Sequence, residues 1–282
     1  MSVLGTRTAG WTAVLLLILA WAAPCAAQTP IFGLGAMQPA KGHFYSHVMP
    51  MYRQFSGDAS TEDRDVRQAS IATQVAYALR GDLSLSLDLP IIFNHLEPSA
   101  IATGDHSEGV GDMALLAKWR FWQHDTSPTD TMRLALLAGL QIPGGTTTYM
   151  DSTEDGWNPL LGAVFSTVHG RHGGNASVLW EFNTEDRDVQ PTGGLRWDLS
   201  YLFRLSPESY TEQTSHEAWY LVAELNGLYE TNGNNQIFIA PGLMYEATWF
   251  TLDVGVMLPL AQELEDRPEM EVAVGVGLRL TF

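Results

Sequence analysis

The last thirteen residues constrain this chain more than any other stretch. From Met270 to Phe282 every even position is apolar: Met270, Val272, Val274, Val276, Leu278, Leu280 and Phe282. Every odd position is small, polar or charged. A side-chain period of two sends the two sets to opposite faces of a β-strand. The segment ends on an aromatic residue, as the closing strand of a bacterial outer-membrane barrel commonly does. Phe282 is therefore expected at the barrel-closure terminus, where the last strand also addresses the barrel-assembly machinery.

The other end of the sequence agrees. Arg7 precedes a short apolar run, Ala13 to Trp21, and Ala23-Pro24-Cys25-Ala26-Ala27 supplies small residues for cleavage after Ala27. This is the pattern of a secretory signal peptide over 1–27, too short to span a membrane as a helix. Pro24 stands where a lipoprotein needs a small residue before its cysteine, so Cys25 is not read as a lipid anchor. Cleavage after Ala27 removes the sole cysteine, and with it disulfide and thiol chemistry.

After residue 27 no stretch reaches the ~18–20 continuous apolar residues of a membrane helix. Hydrophobic residues come in alternation instead, as in transmembrane barrels. Leu83, Leu85, Leu87 and Leu89 interleave with Asp82, Ser84, Ser86 and Asp88. Phe250, Leu252, Val254, Val256 and Leu258 interleave with Thr251, Asp253 and Gly255. Twelve such segments are predicted: 43–55, 67–79, 82–93, 110–122, 131–142, 159–169, 175–184, 194–205, 217–229, 236–246, 249–260 and 270–282. The expected fold is all-β, a transmembrane antiparallel up-and-down β-barrel of about twelve strands over 43–282. Residues 28–42 form a segment before it, in the periplasm or in the lumen.

With the first strand starting in the periplasm, short links such as Arg80-Gly81, 169–174 and Ala247-Thr248 fall there. The link at 206–216 is long for that side. Outer loops are predicted at 56–66, 94–109, 143–158, 185–193, 230–235 and 261–269. They hold eighteen of the thirty-two acidic residues, so most of the net charge of −17 sits on one rim. The acidic loop candidates are Glu62, Asp63, Asp65, Glu185, Asp186 and Asp188, within two copies of Thr-Glu-Asp-Arg-Asp-Val at 61–66 and 184–189. Such a field attracts cations beside the lipopolysaccharide layer and repels nucleic acid. The copies lack the glycine-punctuated spacing of a dedicated calcium loop.

Aromatic residues gather at predicted strand ends. Trp119, Phe121, Trp122, Phe203, Trp219, Tyr220, Trp249, Phe250 and Phe282 mark one rim. Phe55, Phe93, Tyr149, Trp157, Phe182 and Tyr229 mark the other. Two belts are what the lipid interfaces favour. A soluble β-barrel has the same periodicity with its apolar face inward; signal peptide, belts and terminal Phe282 favour the membrane. Charged residues then face the lumen, because charge on the lipid side is costly. The lumen-lining candidates are Asp88, Asp112, Lys118, Arg120, Arg133, Glu181, Arg196, Asp198, Arg204, Glu224, Asp253, Glu271 and Arg279. Both signs occur, so they fit an ion-pair lattice, a substrate path, or both.

Three stretches carry a resemblance. Gly109-Val110-Gly111-Asp112 running on to Lys118-Trp119-Arg120-Phe121 is one. Gln141-Ile142-Pro143-Gly144-Gly145 with Asn158-Pro159-Leu160-Leu161-Gly162 is another. The third is Ala240 to Tyr245 followed by Leu252 to Leu260, with the final strand from Val274. Together they resemble the MetA-pathway of phenol degradation family of outer-membrane barrels over residues 40 to 282. Gly144-Gly145 departs from that family's more usual Thr-Gly. The resemblance implies passive uptake of small hydrophobic or aromatic compounds.

Other chemistries fit poorly. Gly109-x-Gly111-Asp112 opens a strand, without the βαβ unit of a phosphate-binding loop. His95 with His106, and His169 with His172, are pairs where a zinc site wants three or four ligands. No His-x-Ser-Asn-Gly strand of a barrel phospholipase is present. No catalytic residue, metal or cofactor is assigned. Barrels of about eight strands are filled by side chains and those of about sixteen or more leave an aqueous channel, so twelve gives a narrow lumen. The primary expectation is a passive outer-membrane channel for small hydrophobic or aromatic compounds. The alternative is a structural or surface-interaction barrel whose acidic loops attract cations.

Overall fold

The computed structural model describes residues 28–57, 65–97, 105–127, 130–144, 156–184, 193–210, 217–265 and 267–282. The expected signal peptide, Tyr149, and the acidic candidates Glu62, Asp63, Glu185, Asp186 and Asp188 lie outside the described residues.

Among the described residues, alternating segments become thirteen antiparallel strands. They are β1 (Phe44–Ser56), β2 (Val66–Arg80), β3 (Leu83–Leu96), β4 (Asp105–Val110), β5 (Met113–Asp125), β6 (Thr131–Ile142) and β7 (Asn158–His169). β8 (His172–Phe182), β9 (Gly193–Ser206), β10 (Glu217–Glu230), β11 (Asn235–Ala247), β12 (Phe250–Glu263) and β13 (Glu269–Thr281) follow. Strands pair with their chain neighbours except at β4 and β5, and β13 returns to β1 with Val48 opposite Leu278. The Phe44 N–H donates to the Phe282 carbonyl at 2.6 Å, and the Phe282 N–H to that of Phe44 at 3.0 Å. The sheet has no open seam there, which removes the unpaired edge that a lipid-exposed sheet cannot carry.

β4 and β5 pair in succession on β3, His106 opposite His95 and Lys118 opposite Ser84. They are two pieces of one stave, so the barrel has twelve. The break falls at Gly111-Asp112, inside the predicted strand 110–122. Asp112 is exposed there and accepts hydrogen bonds from the Gly144 N–H (3.0 Å) and the Gln141 side chain (3.1 Å). It ties the β6 exit to the break, on the same parity as the inward Ala114, Leu116 and Lys118.

Side-chain parity separates the two media. On β13, Val274, Val276 and Leu278 are exposed, while Gly275, Gly277, Arg279 and Thr281 are buried. The same holds round the wall, with Leu85, Leu115, Leu136, Leu161, Leu199, Leu221 and Leu252 exposed and Ser84, Ser166, Ser200, Glu224 and Asp253 buried. Leaving that much apolar surface in water costs about 25 cal/mol per Å². An apolar outer face, with the buried polar and charged residues turned inward, is the reverse of a soluble barrel and matches a barrel solvated by lipid.

Bulges break the parity at specific places. At the β1–β13 ladder the register shifts between Gln54 and Phe55, so Phe55 faces Met270 and Glu271 is the extra residue. Met270 is buried in the interior, and Glu271 is exposed and accepts a 2.6 Å bond from the Ser56 hydroxyl. Met270 thus leaves the face of Val274, and Glu271 leaves the lumen set. A second shift between Arg120 and Trp122 lets Trp119, Phe121 and Trp122 all face outward.

Call the end with the β2–β3, β7–β8 and β11–β12 turns the turn end, and the other the loop end. The first of these turns is fixed by Arg80, whose guanidinium binds Asp82 at 3.0 and 2.8 Å and holds its carboxyl below the usual range. The β7–β8 turn is shorter than expected, Gly170-Arg171, with His172, Gly173 and Gly174 already in β8. Aromatics collect at the turn end, where Trp219, Tyr245, Phe250 and Trp249 follow one another at centroid distances of 4.9, 5.9 and 4.5 Å. Phe93, Trp157, Phe182 and Tyr229 are exposed towards the loop end. Tyr220 and Phe55 leave these belts: Tyr220 is buried, and Phe55 packs inward against Val66 and Leu96.

Candidate functional site

Residues 28–38 run through the barrel interior. They touch β5, β6, β7, β8, β10 and β13, strands from both sides of the ring, which only an interior segment can do. The backbone of this strap has no ladder of its own, and buried N–H and C=O groups require partners. Lumen side chains supply them.

Glu224, midway along β10, accepts from three successive amides: Ile31, Phe32 (3.2 Å to Oε2) and Gly33 (3.0 Å). Arg279 on β13 donates to the strap's carbonyls at Thr29 (3.3 Å) and Pro30 (2.6 Å), and to the Thr29 hydroxyl. Lys118 on β5 donates to Gly35 O (2.6 Å) and Met37 O (3.3 Å). The Ala36 N–H bonds the Ser166 hydroxyl at 2.8 Å, and the Asn175 amide bonds Gln28 O at 3.4 Å. Anionic and cationic lumen residues thus divide the strap's donors and acceptors between them.

Apolar contacts hold the same segment. Gly242, Gly255 and Gly275 stand in register on β11, β12 and β13. A Cβ on Gly242 would come within 2.3 Å of Ile31, and one on Gly255 within 2.6 Å of the Phe32 ring. One on Gly275 would lie 3.1 Å from that ring. Three bare backbones therefore form the trough in which Ile31 and Phe32 lie. Around them Met49, Met51, Leu202, Tyr220, Val222, Phe238, Met244 and Met270 form a buried cluster. On the opposite wall Leu116, Leu137, Leu160, Val164 and Leu179 close on Ala36 and Leu34.

The remaining charged candidates have these places. Asp253 lies 2.8 Å from Arg279 and 3.6 Å from His47. Asp198 accepts from Ser177 (2.7 Å) and Asn226 (2.8 Å). Asp88 accepts from Gln74 at 2.6 Å. Glu181 accepts from Asn158 (3.1 Å) and lies 3.6 Å from Arg196, whose side chain is 58% exposed at the loop end. Arg133 reaches the Met37 sulfur at 2.6 Å. Towards the turn end, Arg120 donates to Gly81 O. Arg204 donates to Pro207 O at 3.0 Å, with its guanidinium 4.1 Å above the Tyr210 ring. These groups do not converge on one centre; they are spread along the interior. Among the described residues no cluster of three or more metal-ligating side chains forms.

The apolar lumen is what the charge-based reading missed. Its signal was present in β10, where Trp219-Tyr220-Leu221-Val222-Ala223 has no polar partner for either face. A strand apolar on both sides has an apolar neighbour inside as well as outside.

The wall thins along β12. Pairing of β12 with β13 stops at Met257–Ala273, although β12 continues to Glu263. Leu258, Pro259, Leu260 and Ala261 are all exposed, so both faces of β12 are uncovered there. Gln262 closes the stretch by bonding both the N–H and the carbonyl of Met270 at 3.0 Å. Met257 and Met270, beside the unpaired stretch, belong to the lumen's apolar cluster.

No family model matches the chain, and no curated protein matches it in sequence. Among solved structures, the COG4313 outer membrane channel from Pseudomonas putida F1 is similar, with a TM-score of 0.62 at 13% identity. That match covers 87% of this chain and 97% of the channel. The beta domain of the Bordetella autotransporter Brka matches at a TM-score of 0.51 and 11% identity, over 86% of this chain and all of that domain. These similarities show the fold: the chain is a closed twelve-strand barrel of the outer-membrane type.

Proposed function

We propose that this protein is a passive outer-membrane channel for small hydrophobic or aromatic compounds, with the strap 28–38 as its internal constriction. One observation carries the reading. The unpaired stretch of β12 joins the lipid-facing Leu258 and Leu260 to the lumen through Met257 and Met270, and from there to Met49 and Met51. An apolar solute can follow this route over apolar side chains as far as Met51, where the Arg53 guanidinium lies 3.3 Å from the sulfur. Burying each of its CH₂ groups is worth about 0.8 kcal/mol, which holds it on an apolar track. The same route excludes ions, for which an apolar constriction is a barrier. Movement is down a gradient and involves no catalysis.

In this reading the loop end faces outward beside lipopolysaccharide and the turn end faces the periplasm. The chain is exported by its signal peptide and inserted through its C-terminal strand. The strap's hydrogen bonds favour a second reading, a barrel closed for structural reasons with acidic outer loops.

The test is uptake of a labelled monoaromatic compound by cells whose own outer-membrane channels are deleted. The protein should raise the uptake rate, and Met270→Lys, which puts a charge on the route, should abolish the gain while the barrel still assembles. Uptake equal to that of cells without the protein would support the structural reading.

A further inference from the structure

The sequence has two histidine pairs, and the structure treats them differently. His169 and His172 face each other across the β7–β8 turn, yet their ring nitrogens point elsewhere. His172 Nδ1 is 2.6 Å from the Tyr201 hydroxyl, and His169 Nδ1 is 3.6 Å from Asp130. His95 and His106 are also directly opposed, on β3 and β4, but their Nδ1 atoms face one another at 3.1 Å. The two rings lie nearly parallel, 19° apart, with centroids separated by 4.5 Å.

We propose that His95 and His106 form a surface site for a nitrogen-preferring divalent transition metal, Zn²⁺, Ni²⁺ or Cu²⁺. An ion bonded to two imidazole nitrogens at about 2.0–2.1 Å in near-tetrahedral geometry holds them about 3.3–3.4 Å apart. The observed separation is within a few tenths of an ångström of that value. Strand pairing fixes the register, so the two ligands are brought together before any metal arrives. Imidazole donors select these metals over Mg²⁺ and Ca²⁺, which prefer oxygen. With two protein ligands, water fills the other positions. Neighbouring charge does not oppose the ion: Arg67, opposite His95 on β2, is paired with Glu97 at 2.9 Å, and Glu108 shares the outward face of His106.

The site has a structural consequence. Among the described residues β4 pairs with β3 alone, and it stands beyond the break at Gly111-Asp112. Cross-linking His106 to His95 fastens this short strand at its far end.

The experiment is calorimetric titration of the tag-free, full-length mature protein in detergent with Zn²⁺ alone, in an excess of Ca²⁺ that occupies the acidic rim. One saturable ion per protein is expected. It should be lost in His95→Ala and in His106→Ala and kept in His169→Ala, with circular dichroism reporting the barrel in each. Cu²⁺ in place of Zn²⁺ should give an electron paramagnetic resonance spectrum with coupling to two imidazole nitrogens. Absence of saturable binding, or binding unchanged in either the His95 or the His106 variant, overturns the proposal and leaves the pair as a hydrogen bond between neutral rings.

Discussion

Asp253 and Arg279 meet across β12 and β13 inside the barrel, Nε to Oδ2 at 2.8 Å, with side-chain exposures of 0% and 1%. The approach depends on Gly277, directly opposite Asp253, where a Cβ would lie 2.2 Å from Oδ1. Arg279 also holds the strap at Thr29 and Pro30, so one guanidinium serves both the wall and its contents. Removing one member of a buried pair leaves the other charged and unpaired, at a cost of about 3–5 kcal/mol. Asp253→Asn and Arg279→Met should each lower the urea midpoint of the vesicle-embedded barrel. The double variant should lose less than the two single losses added together, as interacting neighbours do.

Parity alone puts Asp253 and Arg279 on the face opposite Leu252 and Leu278, and the strand spans are written in that alternation. Their meeting is not in the spacing, because it depends on the register between two strands. Glu271 went astray for a related reason. A single bulge or break reverses parity for everything beyond it, and no residue type announces one. The strap was hidden too. Residues 28–42 show no periodicity, and their partners Glu224 and Arg279 lie more than 190 residues away in sequence. The row Gly242, Gly255 and Gly275 becomes a trough only once three registers are known.

The Glu224 carboxylate is the one anion holding the strap's amides at Ile31, Phe32 and Gly33 among the described contacts. Glu224→Ala leaves three inward donors without their acceptor, the buried Ile31 amide at a cost of about 1–3 kcal/mol and the half-buried Phe32 and Gly33 amides at less. The strap should loosen, and conductance in a planar lipid bilayer should rise above that of the unmodified protein. Deleting residues 29–37 should raise it further. Identical traces from all three proteins would mean that the strap does not limit the pore.

Gly255→Leu tests the apolar half of the same grip. The new side chain would occupy the place of the Phe32 ring, whose nearest atom lies 2.6 Å from a bare Cβ. The strand can keep its pairing with Gly242 and Gly275 while Phe32 is expelled. Quenching of a fluorophore placed at position 32 should change from protected to accessible, without loss of the folded band in a heat-modifiability gel.

Leu221 and Val222 are adjacent on β10 and face opposite media: Leu221 is 52% exposed on the outer wall, and Val222 is 1% exposed inside. Arginine on a lipid face near the bilayer midplane costs about 2–4 kcal/mol, falling towards zero near the interfaces. Leu221→Arg should therefore reduce refolding stability in vesicles by about that amount. Trp219→Arg, two positions nearer the turn-end belt, should cost less, because its guanidinium can reach the interface. If the outer wall faced water instead, neither substitution would lower stability and Leu221→Arg would improve solubility without detergent. The comparison thus reads the medium around the barrel directly, from two substitutions on one face of one strand.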